Sequence, residues 1–326
     1  MNTHAQEVSQ GERYQFGKNW QRFLRVLNEE RIKEAERSLR EMLQMEALAE
    51  KSFLDIGSGS GLFSLAAMRL GASRVHSFDF DPRSVACTKE LRRRYFPDAE
   101  RWTIEEGSVL DRAYLSRLGE FDIVYSWGVL HHTGEMWLAL ENATGRVQEG
   151  GNLFIAIYND QGRVSQVWKA VKTIYNRSLA GRILITPIFM SCILAHGLVL
   201  DLVAWKNPLS RYLEYRKRRG MSLIPDVLDW LGGYPFEVAK PDEIADFCGK
   251  RGFALIVSTI SKGSGRGNNQ YVFVKSHGFG TVPSSCSRSE ASTPGPIRCT
   301  PTILSCNPDN STSDEEKYRE HTHASG

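Results

Sequence analysis

From Trp20 to Leu43, apolar residues recur with a helical period: Trp20, Phe23, Leu24, Leu27, Ile32, Leu39 and Leu43 stand among the charged Arg22, Glu29, Glu30, Lys33 and Glu36. The spacing predicts one amphipathic helix whose stripe covers an apolar surface. At Lys51 the pattern changes to short apolar runs alternating with helical ones. Strands are expected over 52–56, 74–80, 102–106, 121–126 and 152–158, and helices over 62–70, 83–95, 112–118 and 135–147. Such alternation implies a parallel sheet with helices on both faces. The alternation stops over 160–239 and resumes with a helix over 241–250 and strands over 253–260 and 270–275. These bring the sheet to seven strands, with a structured insertion between the fifth and sixth. No repeat of 20–50 residues is present, which excludes solenoids and propellers.

Composition narrows the class further. The 326 residues are 41% hydrophobic and 24% charged, an ordinary globular balance. Residues 277–326 carry four Lys/Arg against six Asp/Glu, leaving 37 against 32 in residues 1–276, too weak an excess for a dedicated nucleic-acid binder. In those last fifty residues Ser, Thr, Pro and Gly make up 24 positions, so no core is expected there and the segment reads as a disordered tail. The six cysteines lack CxxC or Cys/His ligand spacing, so no metal site is expected. Residues 1–11 hold no apolar signal segment, and a cytoplasmic location is the expectation.

The first strand runs into Asp55-Ile56-Gly57-Ser58-Gly59-Ser60-Gly61, and Leu62 opens a helix. Glycines at the end of strand one allow a tight turn and let the backbone approach a ligand beside free helix N–H groups. A plain strand-to-helix turn would use glycines in the same way. The next strand ends at Asp79, 22 residues after Gly57, where a carboxylate can accept from both ribose hydroxyls. Asp79 could instead cap the following helix, although Asp81 is better placed before Pro82. A dinucleotide fingerprint requires glycine at 62, where Leu62 stands.

With Asp55 heading GxGxG, Phe78-Asp79-Phe80-Asp81-Pro82 closing strand two, Glu106 to Asp111 after strand three and Phe121 to His132 through strand four, the chain resembles the class I S-adenosylmethionine-dependent methyltransferases from about Phe53 to Lys275. The resemblance implies a doubly wound, mostly parallel, Rossmann-like sheet. It places residues 51–159 plus 240–276 in a cofactor-binding core, 1–50 in an N-terminal helical lid and 160–239 in a helical insertion that builds the acceptor site. It also implies S-adenosylmethionine as cofactor. Gly57 and Gly59 would lie against its methionine part with Asp55 beneath the amino end, Asp79 would bind the ribose and Phe80 would flank the adenine. Gly61, Val109 and Ser126 complete the implied set. Ser108 stands where the family often has Asp or Glu for the adenine amino group, and a hydroxyl can accept there as well. Trp20 and Phe23 of the lid segment could pack on the core or touch the cofactor.

A sulfonium methyl is already activated, so the protein must align an acceptor and, for a hydroxyl, remove its proton. The candidates sit at the C-terminal ends of strands four and five: His131, His132 and Tyr158. Consecutive histidines could equally cap a loop or pack on the next helix. Val129 to His132 and the late αββ unit look most like small-molecule enzymes similar to ubiquinone-pathway O-methyltransferases. No NPPY-type tetrapeptide follows strand four, which argues against a nucleic-acid base as acceptor.

Ile183 to Leu200 carries no Asp, Glu, Lys or Arg over 18 residues, and Arg211, Arg216, Lys217, Arg218 and Arg219 follow. An apolar lid, an interfacial membrane segment with a basic flank, and a membrane span all fit this stretch. A lipophilic acceptor and peripheral membrane contact through 183–219 are the expectation. The rival reading is a non-catalytic S-adenosylmethionine-binding or membrane-tethering protein.

Overall fold

A computed structural model describes residues 3–203, 228, 230–261 and 267–276 of the chain. The basic residues 211–219 and the tail expected after residue 276 lie outside these. Seven strands, β1 (Ser52–Ile56), β2 (Arg74–Asp79), β3 (Trp102–Glu106), β4 (Phe121–Trp127), β5 (Val147–Tyr158), β6 (Phe253–Thr259) and β7 (Asn268–Lys275), form one sheet in the order β3-β2-β1-β4-β5-β7-β6. Strands β1 to β5 pair in parallel, whereas β7 pairs antiparallel to both β5 and β6. The parallel β1–β5 sheet is what the alternation predicts, and the mostly parallel, seven-stranded Rossmann-like form is what the resemblance implies.

Ten described helices are α1 (His4–Ser9), α2 (Gly17–Phe23), α3 (Glu29–Leu43), α4 (Leu62–Arg69), α5 (Pro82–Tyr95), α6 (Arg112–Leu118), α7 (Met136–Thr144), α8 (Arg163–Arg177), α9 (Leu179–Val203) and α10 (Pro241–Gly249). Strand alternation sends β1 and β4 residues to two cores. Phe53, Ile123 and Tyr125 meet α3, α4 and α5 on one face. Leu54, Ile56 and Val124 meet α6, α7 and α10 on the other. Local chemistry fixes the helix starts: Asp81 caps α5 through the Arg83 N–H with Pro82 at its first position, and Asp111 caps α6 through the Tyr114 N–H.

The single helix expected over 20–43 is two. Asn28 adopts an extended backbone and accepts from the Arg31 N–H, starting α3 afresh after α2 ends at Phe23. Helix α3 packs on α4 as part of the core layer, with Ile32 and Leu39 fully buried. The fifth strand starts at Val147, five residues earlier than its apolar run, because Val147 pairs with Phe121 before the register shifts to Ile123 against Asn152. Strand β7 likewise starts at Asn268, where polar Asn268 and Asn269 pair with Tyr158 and Ile157.

Helices α8 and α9 follow β5, and Asn159 bridges in parallel to Ala239 where the chain returns. One side of α9 packs through Ile185, Phe189, Met190 and Ile193 on Val171, Tyr175 and Trp230. Ile183, Leu184, Ile188, Val199 and Leu202 remain exposed. Replacing the fully buried Leu39 with alanine is expected to lower the unfolding free energy by about 2–5 kcal/mol, read as a urea midpoint shift at constant slope.

Candidate active site

The sheet order reverses between β1 and β4, the switch point at which an open α/β sheet forms its ligand crevice at the carboxyl ends of the strands. The β1 turn forms its floor. Gly57 and Ser58 donate their N–H groups to Phe78 O at 2.9 and 3.0 Å, folding the turn over the end of β2. Gly57 and Gly59 take left-handed backbone angles, φ +74° and +57°. A side chain at 57 would collide with Val129, and one at 59 would come within 3.0 Å of the Trp20 indole. The turn is thus a cradle whose surface is backbone alone.

Beneath it Asp55 is 2% exposed and accepts from the Ser64 hydroxyl. Ser64 and Ser77 hydroxyls lie 2.7 Å apart, and the Trp102 indole N–H donates to Ser77 at 2.9 Å. Burial pushes the Asp55 carboxyl up to about 7, against the pull of Ser64, and Asp79 adds repulsion. Asp79 accepts from the Gly59 N–H at 2.9 Å and the Asp81 N–H at 2.8 Å. Burial outweighs these bonds and holds it up at about 6. Ser126 is fully buried and donates to Ile56 O at 3.2 Å. Gly61 packs on Thr88, and Ser58 and Thr88 hydroxyls meet at 3.0 Å. Ser108 Oγ accepts from the Leu110 N–H, while the buried Val109 presents its carbonyl to Asn142.

The N-terminal segment covers this floor. Gly17 donates its N–H to Asp81 at 2.8 Å, His4 meets the Phe80 ring edge-on at 5.6 Å, and the Arg13 guanidinium lies 5.0 Å over the same ring. Arg13 also donates to the carbonyls of His132 and Thr133 at 2.8 and 3.3 Å. Phe23 is in the core, and Trp20 packs against that core while its indole lies against Gly59.

His131, His132 and Tyr158 form one ring cluster, with His131 3.9 Å from Tyr158 and 4.4 Å from His132 between centroids. Hydrogen bonds set the two imidazoles in opposite tautomers. His132 Nδ1 lies 2.6 Å from Pro235 O, which can only accept, so this nitrogen carries the proton and Nε2 the lone pair. His131 Nδ1 accepts from the Tyr158 N–H at 3.3 Å, which leaves the proton on a buried Nε2 without a hydrogen-bond partner among the described residues. Burial holds His131 well below the usual imidazole range, helped by His132 and the Lys172 charge, and pushes His132 down to about 3. Both rings are neutral at pH 7.

Arg13, Lys172, Trp230 and Phe236 reach this cluster without having been foreseen. The Lys172 ammonium is buried, donates to Trp230 O, and lies 4.5 and 5.1 Å from the Trp230 and Phe236 rings. Phe236 packs on Tyr158 at 5.4 Å. One sign of this lies in the order of elements: a chain returning to strand six after the insertion passes the ends of strands four and five.

A family profile described as a methyltransferase domain matches residues 54–153, the segment from β1 into β5 that carries the cradle, Asp79 and both histidines. By this match residues 54–153 form a methyltransferase domain. The chain is 49% identical over 47 residues to the ribosomal protein L11 methyltransferase of Alteromonas mediterranea, covering 14% of this chain and 16% of that protein. It is 37% identical over 86 residues to the Prochlorococcus marinus protein of the same name, 26% of each. The chain thus spans about a quarter or less of the length of these relatives. The solved magnesium protoporphyrin IX methyltransferase of Synechocystis superposes with a TM-score of 0.47 at 14% identity, covering 79% of this chain and 95% of that one.

The raised Asp55 carboxyl has a pH signature. In the unfolded methyltransferase chain an aspartate titrates near 3.9, so its protonated, folded form is favoured at low pH. The stability this confers is complete below about pH 4 and is lost as pH rises through about 7. The ligand-free Asp55→Asn variant is therefore expected to gain stability relative to wild type between pH 5 and 7.5. Urea unfolding at both pH values checks this, and a difference that does not change with pH contradicts it.

Proposed function

We propose that the chain transfers the methyl group of S-adenosylmethionine to a small, lipophilic acceptor, with an oxygen nucleophile favoured. The observation that carries this reading is the pair of neutral imidazoles in opposite tautomers beside the glycine cradle. In this reading Asp55, Gly57, Gly59 and Gly61 hold the methionine end of the cofactor, and Asp79 takes the ribose hydroxyls. Phe80, Ser108 and Val109 border the adenine, and Ser126 supports the floor through its bond to Ile56. The cofactor supplies an electrophilic methyl on a sulfonium.

The protein's own part is to orient the acceptor and manage its proton. His132 Nε2 has the free lone pair, and Pro235 holds the ring so that this nitrogen faces away from the carbonyl. We assign it as proton acceptor on the geometry of that lone pair; burial, which pushes this imidazole down to about 3, weakens it as a base in the ligand-free chain. His131 Nε2–H is a donor and serves to hold an acceptor oxygen. Tyr158, with Phe236 behind it, forms an aromatic wall suited to a ring or an apolar body.

The exposed apolar side of α9 supports contact with a lipid surface, and residues 160–239 as a whole serve as the acceptor-binding insertion under this proposal. Its apolar residues point outward over much of the helix circumference, and patches of this kind are unusual on soluble monomers. The core would then work at the cytoplasmic side of a bilayer.

Calorimetry tests the cofactor assignment: S-adenosylmethionine binds and NAD does not, and Asp79→Ala costs about 1.5–3 kcal/mol of binding. Incubation with extracted lipids and phenols tests transfer, with release of S-adenosylhomocysteine as the readout. His132→Gln is expected to lower turnover about 10²-fold with cofactor affinity kept. Cofactor binding without transfer to any acceptor would favour the binding or tethering reading instead.

A further inference from the structure

A cavity of about 280 Å³ lies between the N-terminal segment and the corner where α8 turns into α9. Its walls contribute Arg13 from the α1–α2 connection, Lys18 and Arg22 from α2, and Arg182 from the first turn of α9. No Asp or Glu among the described residues lines it. Arg13 has a carboxylate partner, Glu7, at 2.5 Å. Among the described residues Lys18, Arg22 and Arg182 have none.

The two walls are tied to each other. The Tyr14 N–H donates to Tyr234 O at 2.9 Å, and Gly11 lies so close to Asn176 O that an added Cβ would sit 2.5 Å from it. On the far wall Arg182 is tied through Nε to Tyr175 O at 3.0 Å and through a terminal nitrogen to Asn176 O at 3.2 Å. Lys18 and Arg22 stand one helical turn apart on the same face of α2. Like charges held together across a confined space repel, and an anion placed between them reverses the sign of that interaction. Two guanidinium groups without a described carboxylate partner, Arg22 with a 3.5 Å bond to Asn19 Oδ1 and Arg182 with its two backbone bonds, together with an ammonium suit a tetrahedral, multiply charged oxyanion, because guanidinium N–H groups match phosphate oxygens.

We propose that this cavity binds the phosphate group of an anionic ligand, at a site whose Lys18, Arg22 and Arg182 lie outside the cofactor cradle and the histidine pair, with Arg13 alone touching both. The exposed apolar side of α9 begins at the same corner, with Leu179, Ile183 and Leu184 next to Arg182 in the chain. A phosphate can reach the cavity from a soluble phosphomonoester or from a lipid headgroup of a bilayer touching α9. The recognising chemistry is the same.

The full chain is titrated with inorganic phosphate and glycerol 3-phosphate by calorimetry, and sedimented with phosphatidylcholine vesicles with and without phosphatidic acid. The Lys18→Gln/Arg22→Gln variant changes two exposed side chains, and an unchanged melting temperature confirms its fold. Phosphate binding weakened about tenfold by the variant is the expected result. Saturating S-adenosylmethionine is expected to leave that binding unchanged, which keeps the test independent of transfer activity. Binding of the soluble phosphates identifies a free ester as a sufficient source. Binding confined to phosphatidic acid vesicles, and lost in the variant, identifies a headgroup. The proposal is overturned if wild type binds neither probe, if the variant binds as tightly, or if S-adenosylmethionine displaces the phosphate. Sedimentation with phosphatidylcholine alone, equal in both proteins, would reduce the lipid arm to adsorption of α9.

Discussion

A carboxyl group placed under a glycine turn, out of reach of water, has to receive its hydrogen bonds from the protein interior, and the layers around Asp55 are arranged to supply them. The Trp102 indole can only donate, so the proton order runs from Trp102 to Ser77, from Ser77 to Ser64 and from Ser64 to Asp55. This line joins β3, β2, α4 and β1. It positions the start of α4 against the sheet, and with it the turn that joins them. Removing one member strands a buried polar group, so the turn's geometry depends on residues in the middle of the sheet as well as on its glycines.

The cover over the crevice follows a similar logic. Asp81 serves two elements with its two oxygens, capping α5 through Arg83 and receiving the Gly17 N–H. The N-terminal segment is therefore anchored on the strand end that also presents Asp79. Arg13 then links this anchor to the histidine turn by bonding to His132 O and Thr133 O while lying over Phe80. Movement of the N-terminal segment would disturb both ends of the crevice together.

The repeating core was legible because its signals are local. Strand and helix periods, Asp81 before Pro82 and the glycine turn are each contained in a few residues, and every β1–β5 strand lies where its apolar run stands. The breaks have local reasons too. Asn28 ends one helical stripe and starts another, and β5 gains its first residues from pairing with Phe121, a partner 26 positions away. The tautomers of His131 and His132 were not legible, since they depend on Pro235, more than a hundred residues on, and on a backbone N–H in the next strand. The aromatic surroundings of Lys172 likewise exist only once the chain has come back from α9.

That return has an evolutionary side. Asn159 leaves β5 and pairs at once with Ala239, and the Ala239 N–H donates to Tyr158 O at 3.1 Å, so the exit and re-entry points of an 80-residue excursion touch. The sheet therefore does not register how long the excursion is. Since doubling a flexible loop costs only about 0.6 kcal/mol in closure entropy, the segment can lengthen, shorten or be exchanged while β5 and β7 keep their alignment. A fold joined in this way can have one contiguous stretch of chain replaced while the sheet beneath it is inherited unaltered.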